Sequence, residues 1–152
     1  MSEIETAQPM ELLTFKLGEQ EYSLDIMSVR EIRSWTRATP MPLAPSYMRG
    51  VINLRGTVLP VMDLAERLGL PKCAHSDRNV IIVVKHDGYM TGLLVDAVSD
   101  IVALNQEDLQ QPPDTAMQDG PSVIKSLTLI EDRMIRVLEL SQIVIQAESD
   151  AA

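Results

Sequence analysis

The residues best suited to chemistry are one cysteine, two histidines and two closely spaced aspartates. Cys73 and His75 lie in a polar segment, His86 precedes an Asp-Gly turn, and Asp96 and Asp100 are four residues apart. A cysteine–histidine dyad supports nucleophilic catalysis, paired carboxylates support general acid–base catalysis, and histidine with cysteine binds zinc. The zinc spacings are missing, and proximity in sequence does not establish a dyad. We therefore expect a free thiol, exposed loop histidines, solubilising aspartates, no metal and no cofactor.

Longer catalytic and nucleotide-binding motifs are missing as well. The chain has 7 glycines, and none of them builds a nucleophile elbow, a Walker loop or a dinucleotide-binding loop. We therefore predict a protein that is not an enzyme. Because catalytic groups can converge only in the fold, the alternative is a small-molecule-binding β-barrel or a small hydrolase, which predicts a deep pocket with converging polar groups.

Composition and charge favour protein partners over nucleic acid. Apolar residues make up 45% of the 152 residues, and 22 acidic against 13 basic side chains give a net charge of −9. This charge repels phosphate backbones, and 1 Phe, 1 Trp and 3 Tyr offer little surface for base stacking. The sequence has neither a secretory signal nor a run of 18 apolar residues, so we expect a cytoplasmic protein without direct membrane insertion.

Positive charge is concentrated in one stretch of the first half. Between Arg30 and Arg55 five arginines accompany a single acidic residue, Glu31. The stretch is either a solvated face or a surface for a partner, since arginine is enriched at interfaces and its planar fork pairs with carboxylates. Trp35 lies between two of these arginines. It is either a strand residue packed on one face or an interface anchor.

Alternating apolar residues predict short β-strands along most of the chain. The predicted strands cover residues 13–17, 22–26, 49–54, 57–61, 80–84, 89–95, 98–104, 123–130 and 133–138. Five consecutive β-branched residues at 80–84 predict a strand buried on both faces. Nine or ten short strands with a few brief helices indicate a barrel or sandwich, with two β layers or two small barrels packed together.

The predicted helices are short, and the chain ends are predicted to be flexible. Ser28 with Glu31 predicts a helical turn, and Asp63 as N-cap with Gly69 as exit predicts a helix. The predicted helical segments are 28–33, 63–69, 105–109 and 140–144, and the predicted loops are 40–47 and 111–122. One domain is predicted over residues 12–145, with tails at 1–11 and 146–152.

A longer motif in the middle of the chain resembles the signature of a known family. Residues 50–56 read Gly-Val-Ile-Asn-Leu-Arg-Gly and are followed by Pro60-Val61 and Asp63-Leu64. This pattern is similar to that of the CheW family of chemotaxis coupling proteins. Further segments agree in order, namely Phe15, Glu21-Tyr22, Asp25-Ile26, residues 29–32, Gly92, Val95-Asp96, Val98-Ser99 and Asp132-Arg133. The resemblance covers about residues 12–145.

The resemblance implies a fold and a role. The fold is all-β, with two packed, intertwined SH3-like five-stranded barrels and short helices. The role is that of a non-catalytic signalling adaptor, whose partners are the regulatory domain of a CheA-type histidine kinase and the cytoplasmic tip of chemoreceptors. We then expect recruitment to membrane-associated receptor arrays. The alternative within the family is an adaptor of a twitching-motility or other chemosensory-like pathway.

The resemblance also implies partner-binding positions. Val29, Glu31, Gly50 and Arg55 match coupling positions, Ile32, Asn53 and Gly56 lie in the same motifs, and Gly92, Val95 and Val98 match a groove-lining segment. A groove of valine and glycine suits the apolar stripe of a receptor helix. Arg55 is either a contact or a clamp on backbone carbonyls, and the glycines either relieve turn strain or admit a partner. Ser126 replaces a glycine of many members, Ala97 replaces a glycine of some members, and both add bulk near the groove.

Overall fold

The computed structural model describes residues 9–73, 76–111 and 123–144. These residues form ten strands: β1 (Met10–Leu17), β2 (Gln20–Asp25), β3 (Val29–Ser34), β4 (Met48–Leu54), β5 (Thr57–Asp63), β6 (Val80–His86), β7 (Tyr89–Val95), β8 (Ala97–Leu104), β9 (Ile124–Ile130) and β10 (Arg133–Leu138). They also form the helical turn α1 (Leu64–Arg67) and 3-10 turns at Ile26–Ser28 and Gln106–Asp108, and residues 140–144 are helical. The predicted all-β fold class is confirmed.

The strands form two five-stranded sheets that are interleaved along the sequence. Sheet A has the order β8-β1-β2-β10-β9, and sheet B has the order β3-β6-β7-β5-β4. Neighbouring strands are antiparallel except for the pairs β2–β10 and β5–β7, which are parallel. Sheet A therefore combines strands from both ends of the described chain, whereas sheet B is built from the strands between them.

The main core lies between the two sheets, and each sheet also has a smaller core of its own. Phe15 of sheet A and Ile82 and Leu93 of sheet B are fully buried in one shared cluster. On β6, Ile82 and Val84 face this cluster, while Ile81 and Val83 pack into a second cluster formed largely by sheet B. The predicted double burial of residues 80–84 is confirmed at 81–84, and each such side chain contributes about 1.5–3 kcal/mol.

The predicted helical turn over residues 28–33 is wrong. Residues Val29–Ser34 form strand β3, which pairs with the buried strand β6 along its length. A 3-10 turn precedes the strand, and its cap is Asp25, whose Oδ1 accepts a hydrogen bond from Met27 N at 2.9 Å. Pairing with a buried strand outweighs the local capping signal at Ser28, because strand preference depends on tertiary context.

The chain ends and the last loop differ from the prediction or lie outside the described residues. Strand β1 begins at Met10, two residues into the predicted tail, because Met10 pairs with Leu104 of β8. Residues 1–8, 112–122 and 145–152, which hold the rest of both tails and most of a predicted loop, lie outside the described residues. The predicted helix over 63–69 is one turn, α1, and Asp63 caps it as predicted.

Candidate partner-binding surface

The folding of sheet B brings Glu31 and Arg55 together from two distant strands. Glu31 lies in β3, and Arg55 lies in the turn between β4 and β5. Arg55 Nη2 donates to Glu31 Oε1 at 2.8 Å, and Nη1 donates to Oε2 at 3.5 Å. Because β3 and β4 are the two edge strands of sheet B, this two-pronged ion pair connects the two edges.

The ion pair is exposed and holds its charges in a defined geometry. The hydrogen bond from Arg55, followed by that from Arg33, lowers the pKa of Glu31, and Glu31 in turn raises the pKa of Arg55. The Arg55 side chain is 68% exposed, and exposed pairs stabilise a fold only slightly. In the described residues Arg55 donates to a side chain rather than to the backbone carbonyls that the clamp alternative requires.

Arg33 is a member of this cluster that sequence reasoning did not assign. Its Nη1 donates to Glu31 Oε2 at 3.1 Å. The spacing of Arg33 two residues after Glu31 was a usable signal, because alternate residues of a strand share a face. That signal depends on knowing that residues 29–34 form a strand, which the sequence did not predict.

The turn between β4 and β5 fixes where Arg55 lies. Asn53 Oδ1 accepts a hydrogen bond from Gly56 N at 2.8 Å, and Arg55 and Gly56 have φ values of +50° and +85°. Two successive residues with positive φ are typical of a tight hairpin turn. A Cβ added at Gly56 would meet nothing within 4 Å, so this glycine serves the turn geometry.

Gly50 is required by a close approach of the chain to itself. Its φ is +138°, and an added Cβ would lie 2.1 Å from the carbonyl oxygen of Thr39. Thr39 and Val51 exchange hydrogen bonds of 2.8 and 2.9 Å at this point. The backbone of Thr39 therefore accounts for the glycine, which the motif alone did not explain.

Exposed apolar side chains accompany the ion pair. Val58 follows the turn on β5 and is 68% exposed, whereas Ile32, 46% exposed on β3, points to the opposite face of the strand from Glu31. Trp35 lies just after β3, is 40% exposed, and donates its backbone N–H to Asn79 O at 3.2 Å. Exposed large apolar side chains beside charged groups are typical of protein interfaces. We call Glu31, Asn53, Arg55, Gly56 and Val58 the charged corner.

A second surface lies where the two sheets meet. Val29 and Val98 are partly buried and pack against the cluster that the sheets share. The 3-10 turn Ile26–Ser28 contacts β1 of sheet A and β6 of sheet B, and its Met27 side chain is 80% exposed. Ile101 of β8 is 56% exposed. We call Met27, Val29, Val98 and Ile101 the apolar junction.

Two of the predicted groove residues are buried in the core instead. Val95 has no exposed surface, and a Cβ added at Gly92 would lie 2.8 Å from Ile81 Cγ2 and 3.3 Å from Val61 Cγ2. Gly92 thus lets β7 pack closely inside sheet B. Any effect of these two positions on a partner acts through packing, and partner contact by the ten predicted residues stays a prediction.

The candidate nucleophile takes part in a structural hydrogen-bond network. Cys73 N donates to Asp63 Oδ2 at 3.0 Å, and Cys73 Sγ donates to Asp96 Oδ1 at 2.8 Å. Burial, followed by the hydrogen bond to Asp96, raises the pKa of Cys73 to about 12. A thiol held neutral in this way is a poor nucleophile at neutral pH.

The same network connects the two sheets. Asp63 is fully buried and accepts from Arg49 Nη2 at 3.2 Å as well as from Cys73. Asp96 accepts from Gly18 N in the β1–β2 turn at 2.5 Å. The hydrogen bonds therefore run from strand β5 of sheet B to the first hairpin of sheet A, which is a structural task for Asp63 and Asp96.

The remaining candidates for chemistry are dispersed. His86 ends β6 with Nε2 3.5 Å from Asp87 Oδ2, the backbone of Asp100 bonds to Thr14 Oγ1, and His75 lies outside the described residues. Across residues 9–73, 76–111 and 123–144 no three His, Cys, Asp or Glu side chains form a metal-binding group. In the same ranges no helix has the length and apolarity that crossing a membrane requires.

An all-β fold with a charged corner and an apolar junction is typical of a protein-binding module. The family model for the CheW-like domain matches residues 11–148, and the chain belongs to this CheW-like family of chemotaxis adaptors. The chemotaxis protein CheW of Rhizobium meliloti (strain 1021) is 48% identical over 142 residues, covering 93% of this chain and 92% of that protein. The chemotaxis protein CheW of Bacillus subtilis (strain 168) is 28% identical over 151 residues, covering 99% and 96%.

A solved structure agrees with this assignment. The scaffolding protein TtCheW from Thermoanaerobacter tengcongensis superposes with a TM-score of 0.79 at 32% sequence identity. The similarity covers 86% of this chain and 89% of that chain. The predicted family and fold are therefore confirmed.

Proposed function

We propose that the chain is a non-catalytic adaptor that couples chemoreceptors to a CheA-type histidine kinase. The observation that carries the proposal is the exposed Glu31–Arg55 ion pair, with exposed Val58 on the same side of sheet B. This arrangement offers a partner two fixed charges and an apolar contact, which together give specificity and affinity. The names of the relatives, chemotaxis proteins and a scaffolding protein, support the same role.

The two surfaces suit two different partners. The charged corner is suited to a folded domain with complementary charge, and we assign it to the regulatory domain of the kinase. The apolar junction is suited to the apolar stripe of a helix, and we assign it to the cytoplasmic tip of a receptor. Both surfaces belong to the one domain that we predict over residues 12–145, so a single copy can contact both partners. We expect it to work at receptor arrays on the cytoplasmic side of the membrane.

Coupling of this kind needs no chemical step. Once the adaptor is bound to a receptor, its second binding site is held near the kinase at a high effective concentration. Two weak contacts can then hold an assembly that neither contact would hold alone. A change in the receptor reaches the kinase through β3, which carries Val29 of the apolar junction, packed against the cluster shared by the sheets, and Glu31 of the charged corner.

Kinase capture tests the charged corner. The full chain is immobilised, and binding of the CheA-type regulatory domain is measured for wild type, Arg55→Ala and the exposed control Arg78→Ala. We expect Arg55→Ala to weaken binding about tenfold or more, with an almost unchanged thermal midpoint, and Arg78→Ala to bind like wild type. A folded wild-type chain that fails to bind the regulatory domain contradicts the proposal.

Receptor co-sedimentation tests the apolar junction. Met27→Glu places a charge on a side chain that is 80% exposed, and Leu43→Glu is the matched control on a fully exposed leucine in the loop before β4. We expect Met27→Glu to lose the receptor while keeping the kinase, and Leu43→Glu to keep both. Equal receptor binding by both variants counts against the assignment.

A further inference from the structure

Residues 36–39 run antiparallel beside β4 but pair with it at one point only. Thr39 and Val51 exchange both backbone hydrogen bonds, at 2.8 and 2.9 Å. Continuing this antiparallel register by two residues on each segment places Arg37 opposite Asn53. In the described chain the pairing stops at the single bridge, and a cleft of about 500 Å³ lies there, lined by Arg33, Thr36, Arg37, Val51, Asn53 and Val58.

The backbone of Asn53 faces this cleft. Val51 lies opposite Pro60 of β5, which has no N–H, and Val51 directs both of its backbone groups to Thr39. Backbone groups alternate sides along a strand, so those of Asn53, two residues later, point to the same side as those of Val51. The cleft therefore presents an N–H and a C=O in strand geometry, which is what the addition of a β-strand requires.

The cleft also carries positive charge that the described residues do not neutralise. Arg33 donates Nη1 to Glu31, and its side chain, which is 36% exposed, lines the cleft. Arg37 is exposed, and none of the ion pairs among the described residues involves it. A carboxylate in the cleft would accept hydrogen bonds from both guanidinium groups.

The other wall of the cleft is apolar. Val51 and Val58 line it, and Val58 is 68% exposed. Alternate side chains of an extended peptide point in the same direction. A carboxylate on one residue and an apolar side chain two residues away can therefore reach the arginines and this wall together.

We propose that the cleft binds an extended, acidic segment of a partner protein by strand addition to β4. The backbone of the segment pairs with Asn53, and an Asp or Glu side chain of the segment binds Arg33 and Arg37. The Thr39–Val51 bridge limits the segment at one end. The inference rests on the proposed function, because it takes the kinase regulatory domain as the partner that supplies the segment, and it specifies the chemistry by which that domain is recognised.

The test is an NMR titration of the full chain with the blocked pentapeptide Val-Thr-Glu-Thr-Val, in which a valine lies two residues from the glutamate on either side. We expect saturable shifts of the Arg37 and Asn53 amides, about fivefold weaker binding of the Val-Thr-Gln-Thr-Val analogue, and a similar loss for Arg37→Gln but not for the control Arg78→Gln. No shift at these amides up to about 10 mM peptide, or equal binding of both peptides, overturns the proposal.

Two further measurements keep the inference separate from the proposed function. Amide exchange at Asn53 should slow when the acidic peptide is bound, and unchanged exchange excludes strand addition. If the wild type and Arg37→Gln capture the kinase regulatory domain equally, the inference falls while the proposed function stands. If neither captures it, the proposed function fails, and the peptide titration alone decides whether the cleft binds an acidic strand.

Discussion

Cys73 should react far more slowly in the native chain than in the unfolded chain. Burial and the hydrogen bond to Asp96 raise its pKa from 9.0 to about 12, and only the thiolate attacks an electrophile. At pH 8 the thiolate fraction therefore falls about 10³-fold. The more basic thiolate is about 20-fold more nucleophilic, so the pKa alone slows the reaction about 40-fold. Burial of the side chain slows it further.

The raised pKa of Cys73 is tested by its rate of reaction with an aromatic disulfide reagent, which is followed by absorbance. The chain has 1 cysteine, so the signal reports Cys73 alone, and the native rate is compared with the rate in urea at pH 8. The native state holds this proton more tightly, so its contribution to stability is complete below pH 9 and is lost as the pH rises towards 12. The thermal midpoint should fall over that range. A native rate within about fivefold of the unfolded rate would refute the reasoning.

Further substitutions test the glycines, the ion pair and the buried carboxylate. Gly50→Ala should lower the free energy of unfolding by about 2–4 kcal/mol in urea melts, because the new Cβ overlaps Thr39 O, whereas Gly56→Ala should cost about 1 kcal/mol; equal costs would contradict this. Arg55→Gln should raise the pKa of Glu31 towards its ordinary value of 4.5 in an NMR titration. The stability that the lowered pKa provides is present above pH 4.5 and is lost as the pH falls through the native value. The Arg55→Gln variant should therefore lose less stability than the wild type on acidification. Asp63→Ala should lower the free energy of unfolding by about 2–4 kcal/mol, since it removes the helix cap and the acceptor for Arg49 and Cys73 N. A decrease below about 1 kcal/mol would show that the hydrogen-bond network around Asp63 is dispensable for stability.

Elements whose signal is local could be predicted from the sequence. The hairpins β1–β2 and β4–β5 follow from a period of two and from turn residues such as Arg55-Gly56. Strand β6 follows from five consecutive β-branched residues, which only a doubly buried strand explains well. The one-turn helix α1 follows from the cap at Asp63. In each case the residues that decide the structure are adjacent in the chain.

Features that depend on contacts between residues distant in the chain could not be predicted from local sequence patterns. Strand β3 is stabilised by pairing with β6, about fifty residues later, while its own sequence carries a helix-capping signal at Ser28. The pairing of Cys73 with Asp96 spans 23 residues, and that of Arg55 with Glu31 spans 24. The family resemblance named both members of the ion pair, but only the fold showed that they bind each other.

Besides contacts between distant residues, the motif did not indicate which of its residues are buried. The resemblance selects Gly92 and Val95 together with Val98, yet the first two are buried and only Val98 reaches the apolar junction. Successive residues of a strand face opposite sides, but which side is covered depends on the packing of the sheets. A motif therefore indicates where a segment lies along the chain and leaves the exposure of each residue to the fold.

The most direct test of the adaptor role is calorimetric titration of the CheA-type regulatory domain into the full chain. Four proteins are compared: wild type, Glu31→Arg, Arg55→Glu and the double variant with both charges exchanged. We expect saturable binding by the wild type, a loss of about tenfold or more for each single variant, and no recovery in the double variant, because the partner recognises each charge at its own position. Equal binding by all four proteins, or no binding by folded wild type, would contradict the account.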